Sequence, residues 1–209
     1  RTLAAGVTTP FVATFTDRYG NFVTDGTVVT LTATLGGFDV GGTPQQVLIA
    51  TTQGGRVERT FASGTRAGLA RVSACADAHC DARPVSILPG PATQVSLSLD
   101  RIEVAAGDAP IEATAIVGDA YNNPVLDNNT VQFSLSGCAS ASLQATSAQT
   151  VGGRATVGVI GGTQACQGQV TATIPAAASN RAFRVVPAAP HRLRVTAPAT
   201  LLASGAHTA

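Results

Sequence analysis

The chain has 209 residues, of which 44% are hydrophobic but only 4% aromatic and 12% charged, and its formal net charge is +1. With so small a net charge, the chain has no electrostatic field that would attract nucleic acid or an anionic membrane. No apolar stretch approaches the ~20 residues that span a bilayer. We therefore predict no nucleic-acid partner and no membrane insertion by this segment. With 22 Gly and 11 Pro as turn formers, the small and β-branched residues favour many short strands.

The first part of the chain alternates apolar and polar residues. In "VVTLTATL", Val29 and Leu31 begin an apolar set interleaved with threonines, and a period of two buries one face of a strand. A turn precedes this strand, and its predicted key residues are Asp17, Tyr19, Gly20 and Asn21. We expect Asp17 to accept backbone N–H groups, Gly20 and Asn21 to tolerate positive φ, and the Tyr19 ring to cover the end of the domain.

The same pattern returns about a hundred residues later, in the same order. "LAAG" at 3–6 becomes "VAAG" at 104–107, and "RVSA" at 71–74 becomes "QVTA" at 169–172. The turn is repeated too, with the same predicted roles for Asp119, Tyr121, Asn122 and Asn123. A repeat of this length is a domain with its own core. We predict an all-β fold of tandem immunoglobulin-like β-sandwiches, antiparallel, with about seven strands each.

The repeat also sets the predicted domain limits. Residues 1–89 form a sandwich that lacks its first strand, residues 90–189 a complete sandwich, and residues 190–209 the opening strand of a third repeat, which includes Leu193 and Val195. Two explanations stay open. Either the chain is part of a longer array, or the strand around Leu193 and Val195 fills the empty edge of the first sandwich in a neighbouring copy, head to tail.

The four cysteines favour disulfides and an oxidising, extracytoplasmic location; they are Cys75, Cys80, Cys138 and Cys166. Cys138 and Cys166 lie in one copy, whereas Cys75 and Cys80 could close a tight loop, and the connectivity stays open. A zinc corner that includes His79 is the alternative for the first pair. The histidines lie in no nucleophile–base motif, and the carboxylates lie mostly in turns. We predict no enzyme activity and no catalytic, metal or cofactor site.

The stretch "FVATFTDRYGNFVTDGTVVTLTAT", followed by "TTQGGRVERTFASGTRAGLARVSA", resembles the bacterial Ig-like repeats of the invasin and intimin type, the Big-1 group. The hallmark of those repeats is a strand, an Asp-x-x-Gly-Asn-x-Val turn and a second strand. The second copy departs from it, because Asn122 stands where the family has Gly. The resemblance implies rod-like stalks on bacterial surfaces, with adhesive chemistry usually placed in a terminal domain elsewhere.

The leading functional hypothesis is a non-catalytic structural repeat of a long bacterial cell-surface or secreted protein. It would be the stalk of an adhesin or the body of an extracellular fibre, with neighbouring repeats or copies of itself as partners. The alternative is a module that recognises a glycan or a host protein through its loops, and a third hypothesis is an accessory domain of a secreted enzyme. The scarcity of aromatic residues argues against carbohydrate binding, and interface hot spots also favour Trp, Tyr and Arg.

Overall fold

A computed structural model describes residues 1–196 of the chain. These residues form strands and no helix, so the all-β prediction is confirmed. The buried apolar residues fall into two clusters, one within residues 5–87 and one within residues 97–185. Each cluster lies between two β-sheets, and the molecule therefore consists of two consecutive β-sandwiches.

The first sandwich contains nine strands: β1 (Thr2–Ala4), β2 (Thr8–Thr14), β3 (Val28–Ala33), β4 (Gly37–Val40), β5 (Thr43–Gln45), β6 (Val47–Thr51), β7 (Arg56–Ala62), β8 (Gly68–Ala76) and β9 (His79–Leu88). One sheet has the order β1-β9-β8-β3-β6, and the other has the order β2-β7-β4-β5.

The second sandwich also contains nine strands: β10 (Gln94–Leu99), β11 (Glu103–Ala105), β12 (Ile111–Gly118), β13 (Thr130–Ser136), β14 (Ser142–Leu143), β15 (Ser147–Gln149), β16 (Arg154–Ile160), β17 (Cys166–Ile174) and β18 (Ala177–Val186). Its sheets have the orders β11-β18-β17-β13-β15 and β10-β12-β16-β14.

The sandwiches differ from the expectation of about seven antiparallel strands in two respects. Short edge strands such as β5 and β14 raise the number of strands. In addition, β1 pairs with β9 and β11 with β18 in parallel. The chain leaves each of these short strands through a glycine with positive φ, Gly6 (φ 81°) and Gly107 (φ 85°), and then enters the opposite sheet. This conformation suits glycine because it has no Cβ.

The period-two alternation places its apolar residues in the two cores. Val29 and Leu31 are buried in the first sandwich, as are Val131 and Phe133 in the second. The first core contains the buried rings of Phe38 and Phe61, whose centroids lie 5.8 Å apart in an edge-to-face arrangement. The second core combines buried valines with small residues, including the buried set Ala113, Ala115, Ala155 and Ala172.

Candidate functional site: the domain junction and the open edge

Residues 119–123, the second turn, are organised by the carboxylate of Asp119. Its Oδ1 atom accepts the backbone N–H groups of Tyr121 at 2.8 Å and of Asn123 at 2.9 Å. Asn122 has a φ of 65°, which asparagine tolerates better than most residues. Asn123 does not have the positive φ that the sequence predicted for this kind of turn. The side chain of Asn123 instead forms hydrogen bonds to the first sandwich.

The side chain of Asn123 joins the two sandwiches. Its Oδ1 atom accepts the backbone N–H of Ala67 at 2.9 Å, and its Nδ2 atom donates to the carbonyl of Thr65 at 2.7 Å. The same Nδ2 donates to Asp119 Oδ2 at 2.9 Å, and that oxygen also accepts the N–H of Gly90 in the linker at 2.8 Å. Asp119 is 1% exposed and Asn123 8% exposed. We call this set of hydrogen bonds the junction clasp.

Tyr121 completes the contact between the sandwiches by lying against Gly6. A Cβ atom built on Gly6 would lie only 2.9 Å from both Cε2 and Cζ of the Tyr121 ring. The ring therefore occupies the space that a side chain at position 6 would need. Together with residues 64–67, Gly6 forms the surface on which the second turn sits, and we call residues 6 and 64–67 the far end of the first sandwich.

Residues 17–21, the first turn, have the same internal geometry but no such neighbour within the described part of the chain. Asp17 Oδ1 accepts the N–H groups of Tyr19 at 2.8 Å and Asn21 at 2.9 Å, and Asn21 Nδ2 donates to Asp17 Oδ2 at 3.0 Å. Of the two residues expected to have positive φ, only Gly20 does (φ 88°).

The environment of Tyr19 differs from the expectation that its ring covers the end of its domain. The residue is 73% exposed. The Arg18 guanidinium lies 4.6 Å from its ring centroid, and Arg18 Nη2 donates a hydrogen bond to its hydroxyl. Its counterpart Tyr121 also leaves its own domain end uncovered, because its ring lies against Gly6 of the first sandwich.

The two aspartates at the heads of the turns have low pKa values. Burial alone would raise the pKa of Asp119, but hydrogen bonds from the Asn123 side chain and from the N–H groups of Gly90, Asn123 and Tyr121 outweigh burial and lower it. The pKa of Asp17 is lowered chiefly by the hydrogen bond from the Asn21 side chain. Both carboxylates are therefore ionised, which strengthens the hydrogen bonds they accept.

Among residues 1–196, no strand of the first sandwich occupies the place that β10 takes in the second. In the second sandwich β10 pairs with β12, Leu97 of β10 is 1% exposed, and its N–H donates to Ser179 Oγ on β18 at 3.2 Å. In the first sandwich β2, the counterpart of β12, pairs only with β7 among the described residues.

A groove lies where that strand would pack. It consists of two adjoining cavities of about 590 and 410 Å³, and both are lined by Phe11 and Val12 of β2, Val72 of β8 and Arg83 of β9. Val12 is exposed, and Phe11 is only half-buried. We call this feature the open groove.

The predicted inter-subunit strand falls partly outside the described residues. Residues 191–196 form no strand, and Leu193 and Val195 are 89% and 83% exposed. Residues 197–209 of the predicted third-repeat strand lie outside the described residues.

The four cysteines form two disulfides, Cys75–Cys80 and Cys138–Cys166. The first links β8 to β9 across their hairpin. The second ties the loop after β13 to the start of β17, in the second sandwich. Because both cysteines of the first pair are bonded to each other, they are not available as zinc thiolates.

Residues 1–196 contain neither a clustered metal-ligand set nor a membrane-spanning helix. No group of three or more His, Cys, Asp or Glu side chains in this range lies close enough to hold a metal ion. No helix in the same range is long and apolar enough to cross a membrane.

The interdomain role of Asn123 was missed from the sequence, although a signal for it exists. Asparagine recurs at the same repeat position as Asn21, and "GTRA" at 64–67 recurs as "GTQA" at 162–165. These repeated polar residues do not follow the alternation of buried and exposed positions along a strand, because they form a contact between domains.

Comparison with known proteins places the fold. No family model matches the sequence, and no curated protein matches it significantly. Among solved structures, InvD from Yersinia pseudotuberculosis matches with a TM-score of 0.63 and 20% identity over 94% of this chain and 58% of its own. The adhesin InvE of the same species matches with a TM-score of 0.43 and 20% identity over 88% of this chain and 56% of its own.

The Escherichia coli adhesin FdeC matches with a TM-score of 0.47 and 21% identity over 88% of this chain and 61% of its own. The chain thus spans little more than half the length of these three structures. At these identities the likeness concerns the fold. The two sandwiches are immunoglobulin-like, and their fold is that of the matched part of InvD.

Proposed function

We propose that this chain is a non-catalytic structural segment of an extended bacterial cell-surface or secreted protein. The observation that carries the proposal is the junction clasp, which fixes one sandwich on the next through the buried side chains Asp119 and Asn123. Burying polar groups in this way is favourable only when their partners are in place. A junction of this kind suits a spacer that must keep its direction, and the two disulfides suit an oxidising extracellular location.

The proposal includes a way in which copies join. The open groove and the unpaired side of β2 provide a place for one added strand, because an edge strand presents unpaired N–H and C=O groups. We assign that place to residues 190–196 of a second copy. Leu193 and Val195 stand at the repeat positions of Val95 and Leu97, whose strand fills the equivalent place in the second sandwich.

Charge also favours this occupant. Asp81 lines the open groove at the repeat position of Ser179, which accepts the Leu97 N–H in the second sandwich. A carboxylate there would accept the corresponding N–H of Val195 more strongly than a hydroxyl does. Asp81 Oδ2 already pairs with Arg83 Nη2 at 2.9 Å, and its Oδ1 accepts the Ala82 N–H at 2.8 Å, so the Val195 N–H would share this carboxylate with them.

Peptide binding to the intact chain tests the strand addition. A peptide of residues 190–199 is titrated while the amide signals of β2 are followed by NMR. We expect the β2 amides to shift and their hydrogen exchange to slow. A peptide of residues 91–99 serves as the positive control, because this sequence forms the equivalent strand in the second sandwich, and a 190–199 peptide with Leu193→Asp and Val195→Asp is the matched negative control. Equal shifts with the negative control would overturn the strand addition.

A further inference from the structure

Both partners of the junction clasp, the turn and the surface that receives it, occur a second time in this chain. The first turn has the same sequence pattern as the second turn, which forms the clasp. The surface on which the second turn sits recurs at residues 107 and 162–165, which we call the far end of the second sandwich. We propose, resting on the head-to-tail joining described above, that the first turn of one copy docks on the far end of the second sandwich of another copy, with Tyr19 seated on Gly107.

The far end of the second sandwich shares its main backbone features with its counterpart, although Ser140 lies against Gly162 and Gly64 has no such close neighbour. Gly107 N–H donates to the Gly162 carbonyl at 2.9 Å, as Gly6 N–H donates to that of Gly64 at 2.7 Å. The φ angle is 85° at Gly107 and 81° at Gly6. A Cβ built on Gly107 meets nothing within 4 Å. The space that the Tyr121 ring fills above Gly6 is therefore open above Gly107 in this structure.

The backbone groups that would complete the clasp are also present there. In the internal junction, Asn123 uses the Thr65 carbonyl and the Ala67 N–H, and Asp119 uses the Gly90 N–H. The repeat positions of these three residues are Thr163, Ala165 and Ala188. Among residues 1–196, neither the Thr163 carbonyl nor the N–H groups of Ala165 and Ala188 have a hydrogen-bond partner, and all three residues are exposed.

The first turn is already in the geometry that docking requires. Asp17 and Asn21 make the same internal hydrogen bonds as Asp119 and Asn123. Docking would then let Asn21 bridge Thr163 and Ala165, and Asp17 Oδ2 accept the Ala188 N–H. Little conformational entropy is lost on binding when the turn is ordered beforehand.

The docking and the strand addition require the same arrangement of copies. Ala188 lies just before the segment that carries Leu193 and Val195. When the open groove of one copy binds this segment of another copy, the first turn of the copy with the groove lies beside the far end of the second sandwich of the other copy. At the internal junction, the second turn lies beside the far end of the first sandwich in the same way. The two contacts support one head-to-tail arrangement.

Sedimentation equilibrium of the intact chain at rising concentration, up to about 1 mM, tests the docking. We expect head-to-tail association of the wild type, and a Kd raised about tenfold or more by Tyr19→Ala, which removes the ring, and by Gly107→Asn, whose side chain fills the space that the ring would take. Tyr19→Phe retains the ring and keeps most of the affinity. Gly26→Asn is the matched control for Gly107→Asn, since Gly26 has a φ of 84° and its repeat counterpart is Asn128 (φ 68°).

The outcomes separate the docking from the strand addition. If Tyr19→Ala and Gly107→Asn associate like the wild type while Leu193→Asp/Val195→Asp does not, the docking is wrong and the strand addition stands. Loss of association in all three variants, with unchanged melting temperatures, supports both contacts. A wild type that stays monomeric overturns the joining of copies, and with it the docking; the peptide titration then decides only whether the open groove can bind a strand. NMR of the wild type adds a local test, because the Ala165 and Ala188 amides must shift with association.

Discussion

The Asn123 carboxamide of the second sandwich and the Ala67 N–H of the first are joined by a hydrogen bond of 2.9 Å. This bond crosses from one domain to the other and lies beside the bond from Asn123 Nδ2 to the Thr65 carbonyl. A single side chain thereby satisfies two backbone groups of a neighbouring domain. The direction of one sandwich relative to the next depends on it.

Removing this side chain is expected to loosen the junction. Asn123→Ala leaves the Ala67 N–H and the Thr65 carbonyl without their partner, and we expect the free energy of unfolding to fall by about 1–3 kcal/mol. Residual dipolar couplings are expected to report a wider range of domain orientations. Asn21→Ala is the matched control, because in a dilute monomer this asparagine bonds only within its own turn. Equal effects of the two variants would contradict the role of Asn123.

Substitution of Gly6 tests the contact between this residue and the Tyr121 ring. Gly6→Ala and Gly107→Ala both place alanine at a positive φ, which costs roughly 1–2 kcal/mol in each. Only Gly6→Ala also forces its Cβ against the Tyr121 ring. We expect Gly6→Ala to be the more destabilising variant and to shift the Tyr121 ring signals in NMR spectra. If the two variants had the same stability and the same Tyr121 signals, the ring would not be seated on Gly6.

Acid is expected to open the junction. The pKa of Asp119 is lower in the folded protein than in the unfolded chain, so the folded state binds fewer protons at this carboxyl. Its contribution to stability is then complete above the unfolded value of about 3.9, and it is lost as the pH falls through the lowered folded pKa.

The Gly90 amide reports this transition because it donates to Asp119 Oδ2. We expect its NMR signal to be constant above about pH 5 and to move only at lower pH, near or below the ordinary aspartate range. Asp119→Asn should remove that movement. A transition of the Gly90 signal centred near neutral pH would mean that Asp119 is not held as a carboxylate.

The two disulfides are expected to differ in their effect on stability. The Cys138–Cys166 bond closes a sequence separation of 28 and Cys75–Cys80 one of 5. On the chain-entropy model, breaking the first lowers the free energy of unfolding by about 3–4 kcal/mol and breaking the second by about 2 kcal/mol. Denaturant unfolding of the double variants Cys138→Ala/Cys166→Ala and Cys75→Ala/Cys80→Ala measures the difference. A larger loss from the second variant would contradict the model.

The sandwich fold was accessible from the sequence because its determinants are local. Alternation in stretches such as residues 28–35 fixes which side chains face the core, and burial of Val29 and Leu31 follows from it. The parallel pairs of β1 and β11 were not accessible in this way. They depend on the chain crossing from one sheet to the other at Gly6 and Gly107. The alternation of apolar and polar side chains does not predict such a crossing.

The candidate site was only partly accessible for a different reason. Tyr19 and Tyr121 occupy the same repeat position, yet Tyr19 is 73% exposed, whereas Tyr121 is 46% exposed and lies against Gly6. The repeat alone predicts equal roles for them. What separates them is the far end of the first sandwich, residues 6 and 64–67, which lies far from Tyr121 in the sequence and becomes adjacent to it only after both sandwiches have formed.

The most direct measurement of the head-to-tail account is amide hydrogen exchange of β2 in the intact chain as its concentration rises. The account predicts that the β2 amides on the side away from β7 exchange more slowly at about 1 mM than in dilute solution, because a strand from another copy then pairs with them. Leu193→Asp/Val195→Asp should remove this protection. Exchange rates at β2 that do not change with concentration in the wild type would contradict the account.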